Sequence, residues 1–318
     1  MGPAITGCDE CGGIAQLGRL LVLGPMDEVP HPIFLRFERW QGDSDPGFQR
    51  NWIGGRYRLH YVEAASPTNG VPPYPGPSED VFEWVDLLEA VDGARGRFVM
   101  VKLGAGFGRW LVNGAIAARQ RDLEFSLVGV EAEPTRFQWL REHLADNGVD
   151  PDSHRLEHAA VAARSGVALF QTGKTSRYYG HRLVTRARNL AFPLLGGRLR
   201  PVRTVGLAKL LEPFERVDFV DLDVEHAEAD VLEAAASAID EKAARVHVGT
   251  HSTAIEQRLR KLFQALKWKP RFDAPIGQTV QTEFGAIEFE NGVQSWINPR
   301  FDGTSLSSKR ASAGSSAA

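Results

Sequence analysis

Residues 98–109 read FVMVKLGAGFGR. Phe98, Val99, Met100, Val101 and Leu103 form a near-continuous apolar run, the signature of a strand covered on both faces. Gly104, Gly106 and Gly108 follow at once. Glycine takes positive φ and lets a ligand approach the backbone with no Cβ in the way. A helix starting near Arg109 then points free N–H groups into the turn. Strand, glycine turn and helix start together predict a cradle for a nucleotide-type ligand.

A dinucleotide fingerprint is G-x-G-x-x-G, its third glycine allowing close helix–strand packing. Arg109 occupies that third position here, and the glycine comes one residue early, giving G-x-G-x-G. That spacing looks like the first motif of class I methyltransferases, which bind S-adenosylmethionine. A purely structural turn would use the same glycines, so the flanking sequence has to decide.

Outward from the turn, strands and helices alternate. Before it, Ser78 is an N-cap for a helix carrying Val81, Phe82, Val85, Leu88 and Val91, ended by Gly93. After it comes a helix to about Arg121, then a strand over 125–130 that ends in Glu131, then a helix carrying Phe137, Leu140 and Leu144 and stopped by Asn147-Gly148. Strands follow at 156–161, 167–170, 217–223 and 246–251, with helices through Val231 and Leu232 and through Ile255, Leu259, Leu262 and Leu266. Segments 286–289 and 293–297 flank Asn291-Gly292, a two-residue hairpin signal. This order predicts an α/β fold: a doubly wound, Rossmann-like, mostly parallel sheet closed by an antiparallel hairpin, with an N-terminal β-containing extension. The extension is 1–78, Pro/Gly-rich with short strands at 57–61 and 34–40. The main domain is 79–301, and the Ser/Gly/Ala tail 302–318 is expected to be disordered.

With 318 residues, 43% of them apolar, the chain can bury a substantial core, and a net charge of −3 gives no global pull toward nucleic acid or anionic membrane. No basic segment precedes an apolar run at the N-terminus, and no apolar run approaches the length of a membrane span. A cytoplasmic protein with no membrane partner is the expectation. Cys8 and Cys11 are the only cysteines; they form C-x-x-C with no second pair, so free thiols are expected and no structural zinc.

In doubly wound sheets ligands bind at the carboxyl ends of strands. Three such ends carry chemistry here: the glycine turn, Glu131, whose carboxylate can accept both ribose hydroxyls, and VDFVDLDVEHAEADVL at 217–232. Together with LGAGFGRWL, EWVDLLEAV, HVGTHS and VQSWINPRF, this last motif resembles the FkbM family of S-adenosylmethionine-dependent methyltransferases over roughly 79–301. The family pattern is a lysine or histidine, Ile, Asp, Val/Ile, Glu/Gln, Gly, Ala, Glu; the matching residues are Asp221, Leu222, Asp223, Val224, Glu225, His226, Ala227 and Glu228.

The resemblance implies a cofactor site built from Lys102, Gly104, Ala105, Gly106, Gly108, Glu131, Ala132 and Ala160, with S-adenosylmethionine as cofactor. It also implies methylation of a hydroxyl on a small-molecule, sugar or natural-product acceptor. Two departures stand out. The family has an acid where Lys102 stands, and a glycine is common where His226 stands. An alcohol acceptor must lose its proton, so a base near the methyl helps. His226 and His251 are the candidates, with Asp223 and Glu225 orienting the imidazole or the acceptor. Asp221, Asp223 and Glu225 could also hold a divalent metal, but none is expected.

Residues 171–203 carry Lys174, Arg177, Arg182, Arg186, Arg188, Arg198, Arg200 and Arg203 and no acid. A basic insert of this length suggests a lid that selects an anionic acceptor. A solvated loop or a surface for homo-oligomer formation is the alternative, and nucleic acid is not expected. Two rival functions remain: a methyltransferase fold used only for binding or assembly, motivated by Lys102, and a nicotinamide-dependent oxidoreductase, disfavoured by Arg109.

Overall fold

The computed structural model describes residues 30–42, 45–62, 70–172, 182–183 and 198–301. Cys8, Cys11, the tail and most of the basic segment 171–203 lie outside them. At the start, the strand expected over 34–40 does not form. A 3-10 turn at Phe34–Arg36 instead points Phe34 and Phe37 into the core, with Phe34 edge-on to Trp52 at 5.2 Å. Strands β1 (Phe48–Arg50) and β2 (Arg56–Arg58) pair antiparallel. The alternation through Tyr61 continues not as strand but as a second 3-10 turn, Leu59–Tyr61, which buries Tyr61.

Helix α1 (Glu79–Gly93) leads to β3 (Arg97–Leu103), α2 (Arg109–Gln120), β4 (Glu124–Glu131), α3 (Pro134–Asp146) and β5 (Arg155–His158). The expected 156–161 strand is divided: Ala159 N–H makes the last ladder bond of β5 to β4, to the Glu131 carbonyl at 3.1 Å. The second half, β6 (Ala160–Val161), joins a separate small sheet with β7 (Gly166–Thr172), β8 (Arg182–Leu183) and β9 (Arg198–Val205) in the order β6-β9-β7-β8.

The main sheet resumes through α4 (Leu207–Leu211), β10 (Phe219–Leu222), α5 (Glu228–Ala234), α6 (Ala236–Lys242), β11 (Arg245–Thr250), α7 (Thr253–Ala265) and β12 (Lys269–Ala274). A two-stranded ribbon, β13 (Gln278–Thr282) with β14 (Gly285–Phe289), precedes β15 (Gly292–Ile297).

Seven strands form the main sheet in the order β12-β15-β11-β10-β3-β4-β5. All neighbours from β11 to β5 are parallel, and β15 runs antiparallel to both β11 and β12. The sheet is thus closed by an antiparallel pair, but Asn291-Gly292 is not its turn. Neither residue takes the positive φ that a type I′ turn needs. Instead the Glu79 carboxylate accepts from the Glu290 and Asn291 N–H groups at 2.6 and 3.1 Å, fixing a bend between β14 and β15.

The alternation along β3 divides the core. Phe98 and Met100 face α1, α2 and the N-terminal residues Phe34, Phe37, Trp52 and Ile53; Val99, Val101 and Leu103 face the layer of α4–α7. Chain order reverses between β3 and β10, which makes the carboxyl ends of those two strands the switch point where such sheets bind ligands. Among the described residues no helix is long and apolar enough to cross a membrane.

Buried ions tie α1 to the sheet. Asp86 is fully buried; it accepts from Arg245, from His247 Nδ1 at 2.7 Å and from Ser295 Oγ at 2.8 Å. Burial pushes its pKa up, but Arg245 and His247 outweigh burial and hold it below the ordinary carboxylate value. Asp86→Ala leaves Arg245 and His247 buried without that carboxylate, so unfolding in urea near pH 7 is expected to show a loss of about 3–5 kcal/mol. A depressed folded pKa gives stability that is present above the unfolded value and lost as pH falls through the folded one. The gap between wild type and variant should therefore narrow below about pH 4; a gap independent of pH would contradict the ionic account.

Candidate active site

One cleft opens at the switch point, lined by Gly104, Gly106, Glu131, Ala132, Arg136, Ala159, Ala160, Phe170, Asp223 and Glu225, with Val130, Val161 and Val224. The three glycines serve three different needs. A Cβ on Gly104 (φ +77°) would stand 1.8 Å from the Asp223 carbonyl oxygen, so only glycine lets the ends of β3 and β10 come together. A Cβ on Gly108 (φ +83°) would stand 2.4 Å from Leu140 Cδ1, so this glycine seats α2 against α3 rather than facing the cleft. Gly106 (φ +56°) faces open space: this is the cradle proper, the one place where a side chain would occupy the ligand's room.

Glu131 closes β4 beside it. One carboxylate oxygen accepts from Gly106 N–H at 2.8 Å, the other from Glu133 N–H at 2.8 Å. Burial raises its pKa, with those N–H groups and Arg136 working the other way. A carboxylate offers about four acceptor directions, so each oxygen keeps one for a ligand hydroxyl. Ala132, Ala159 and Ala160 leave room above Val130 and Val161 for a flat apolar group. The residues present therefore fit a nucleoside, with Gly106 against its backbone-facing side and Glu131 at its ribose.

The glycine loop is also gripped from outside. Phe107 stacks on Tyr61 at 5.3 Å, and its carbonyl accepts from His143 Nδ1 at 3.0 Å. Burial lowers the His143 pKa to about 4, so this imidazole is neutral and its Nδ1 carries the donated proton. Sequence reasoning missed His143 and the cleft residues Arg136, Ala159 and Phe170. The helical period of α3 placed His143 on its buried face, but nothing in the sequence said which loop it would meet.

Lys102 is not at the cleft wall. It pairs in register with Asp221 across β3 and β10, and its Nζ, buried, lies 2.8 Å from Asp221 Oδ1 and 3.0 Å from Glu83 Oε1. Burial opposes its charge, but Asp221 and Glu83 outweigh burial and raise its pKa. Burial and the Asp221 charge push Glu83 well above the ordinary carboxylate value, with Lys102 working the other way. The family resemblance expects an acid at 102 and a lysine or histidine at 221. The two have changed places, and in this chain they face each other as an ion pair within the sheet. Ala105 and Gly108 likewise shape the turn without lining the cleft.

On the β10 side, Asp223 and Glu225 line the cleft, and His226 and His251 stand beside them with ring centroids 5.5 Å apart. Glu225 (φ +51°) and His226 (φ +75°) both take left-handed backbone, strain of about 1–2 kcal/mol per residue that clusters at functional turns. His251 Nδ1 lies 2.7 Å from Glu228 Oε1, and Nε2 lies 3.5 Å from Asp223 and 3.8 Å from Glu225. Burial lowers its pKa, but the Glu228 hydrogen bond and the three carboxylate charges outweigh burial and push it up to about 10. A histidine that already carries its proton near pH 7 does not accept another, which speaks against His251 in the base role expected of it or of His226.

The strand order, the glycine turn after β3 and the carboxylate after β4 define a class I methyltransferase fold. The model of the Methyltransferase FkbM domain matches residues 102–274, and the chain belongs to that family; it is a methyltransferase. A Jannaschia sp. (strain CCS1) protein named "Putative methyltransferase" is 25% identical over 247 residues, covering 75% of this chain and 88% of its own. Among solved structures, Methyltransferase FkbM from Methylobacillus flagellatus KT aligns at 12% identity with a TM-score of 0.42. That alignment covers 64% of this chain and only 45% of the other. The C-terminal domain of precorrin-6Y C5,15-methyltransferase from Rhodobacter capsulatus aligns at 11% identity with a TM-score of 0.39, covering 71% and 92%.

The exchanged pair makes a measurable claim. Lys102→Asp sets three acids together in the core and is expected to destabilise by about 3–5 kcal/mol. Adding Asp221→Lys restores the cation, and the double variant should recover at least half of that loss in urea unfolding, a coupling far outside simple additivity. Additive losses would show that the two positions do not act as a pair.

Proposed function

We propose that this methyltransferase uses S-adenosylmethionine and acts on a hydroxyl of a small-molecule, sugar or natural-product acceptor. The observation that carries this reading is that Gly106 and Glu131, which fit a nucleoside, share one cleft with Asp223 and Glu225, which can take a proton. When bound, S-adenosylmethionine supplies an already activated methyl group, so the protein's work is to orient an acceptor and exclude water. Glu131 and the Gly106 backbone hold the cofactor's ribose side. Phe170, Val130 and Val161 give the cleft an apolar wall that keeps water from the nucleoside. The carboxylates of Asp223 and Glu225 accept the hydroxyl proton as the methyl transfers, and the charged His251, fixed by Glu228, holds Asp223 toward the cleft. The basic segment proposed to select an anionic acceptor is described at side-chain level only over 200–203; there Arg203 is already paired with Glu157 and Arg200 is exposed.

Calorimetry with S-adenosylhomocysteine tests the cofactor half of the reading. Asn tolerates left-handed backbone, so Gly106→Asn fills the cradle without the strain a branched residue would add. It is expected to weaken binding at least tenfold while the melting temperature stays within a few degrees of wild type. Hydrogen bonds to charged groups contribute about 1.5–3 kcal/mol, so Glu131→Ala should weaken binding on the order of tenfold to a hundredfold. Wild-type affinity in both variants would remove the cofactor from this cleft.

A further inference from the structure

The turn after β10 and the end of β11 gather more negative charge than the fold requires. Asp223, Glu225 and Glu228 surround the single imidazole of His251. Three of these residues, Asp223, Glu228 and His251, each place a donor atom within 4.8 Å of the other two. Nδ1 of the imidazole meets Glu228 and Nε2 meets Asp223, so a turn of the ring that aims one nitrogen between the two carboxylates closes the set around a cation. Glu228 adds an independent sign. It is completely buried, yet its Oε2 is inaccessible to solvent and has no hydrogen-bond partner among the described residues. A buried carboxylate oxygen with nothing to bind is costly, and a cation beside it removes that cost. The side chain of Asp223 is half exposed at the cleft, which gives an ion a way in.

We propose that Asp223, Glu228 and His251 form a binding site for a divalent transition-metal ion at the acceptor side of the cleft. An imidazole with two carboxylates suits first-row ions such as Mn²⁺ or Zn²⁺ better than an all-oxygen set would. The ion takes the place of an imidazole proton, which leaves to solvent, and neutralises more of the charge of the three carboxylates than that proton does. Three protein ligands leave a coordination position open, as in metal sites that engage substrate. Under the methyl-transfer reading given above, on which this part rests, that position meets the acceptor oxygen and Glu225 remains to take its proton.

The test is metal binding to the full chain without cofactor, so it stands apart from any failure of the methyl-transfer reading. Chelator-treated protein is titrated with Mn²⁺, following loss of the free-ion electron paramagnetic resonance signal, and with Zn²⁺ by calorimetry. One ion per chain is expected to bind. Asp223→Asn, which keeps the shape of a half-exposed side chain, should weaken binding at least tenfold, and His251→Gln should do the same. Thermal melts of the metal-free variants establish that each is folded; the Asp223→Asn result alone decides the matter should His251→Gln unfold. Failure of Mn²⁺ and Zn²⁺ to bind below about 1 mM, or wild-type affinity in the Asp223→Asn variant, overturns the proposal.

Discussion

No side chain can exist at position 104. A Cβ there would lie 1.8 Å from the Asp223 carbonyl oxygen, well inside any real contact. From this one approach the rest of the site follows. The end of β3 and the end of β10 meet, with Asp223 N–H donating to the Leu103 carbonyl at 3.0 Å. The glycine turn and the acidic turn therefore become two lips of one cleft rather than separate loops. After β10 ends at Leu222, the chain turns through left-handed Glu225 and His226 before α5 begins, and Glu225 lies at the cleft wall. A residue with a side chain at 104 would not merely crowd a ligand; it would part the two central strands.

Charge fixes what lies behind that cleft. Glu79, Glu83, Asp86 and Glu89 recur every three or four residues along α1 and so share one helix face. That face turns toward the sheet. Glu79 holds the backbone before β15, Glu83 meets Lys102, Asp86 takes Arg245, His247 and Ser295, and Glu89 takes Arg245 and Arg271. Buried pairs add little net stability compared with apolar packing, but breaking one is expensive. A stripe of them therefore acts on register: α1 slid along the sheet by a turn would strand several charges at once. The exchange of acid and base between positions 102 and 221 fits this view, since the core needs the pair to be complete and either strand can supply the cation.

Hydropathy made most of the sheet legible. The apolar run of 98–103 and its alternation between two cores, the helix over Glu79–Gly93 and the strand ending at Glu131 all follow from period and punctuation. Local signals failed where a distant group intervened. Asn291-Gly292 has hairpin chemistry, but the Glu79 carboxylate reaches it from across the chain and fixes a bend there in place of a two-residue turn. The run over 156–161 has strand character throughout, but its ladder on β4 ends at Ala159 and Ala160–Val161 pairs with β9 in a second sheet. The same limit governed the site. Residues that lie on strand ends, Gly106, Glu131 and Asp223, were visible because topology places every strand end at one edge. The pairing of Lys102 with Asp221 needed the register of β3 on β10, and the charge state of His251 needed the carboxylates that surround it.

A glycine-rich turn in the role proposed for this one, holding a nucleoside, faces a conflict. Glycine is needed to admit the ligand, yet glycine also loses the most conformational freedom on ordering, so an unsupported loop would oppose binding with its own entropy. The chain resolves this at Phe107, the one large side chain between Gly106 and Gly108. Its ring stacks on Tyr61 and lies against Tyr57 and His143, and its carbonyl is held by His143. Tyr61 in turn packs on Trp139 of α3, while Arg58 bonds Glu142 and Asp146 of the same helix. Residues far upstream of the glycine motif thus brace it through its single aromatic residue. The N-terminal segment is part of the glycine turn in the mechanical sense: it holds in place a loop whose composition alone would leave it free to move.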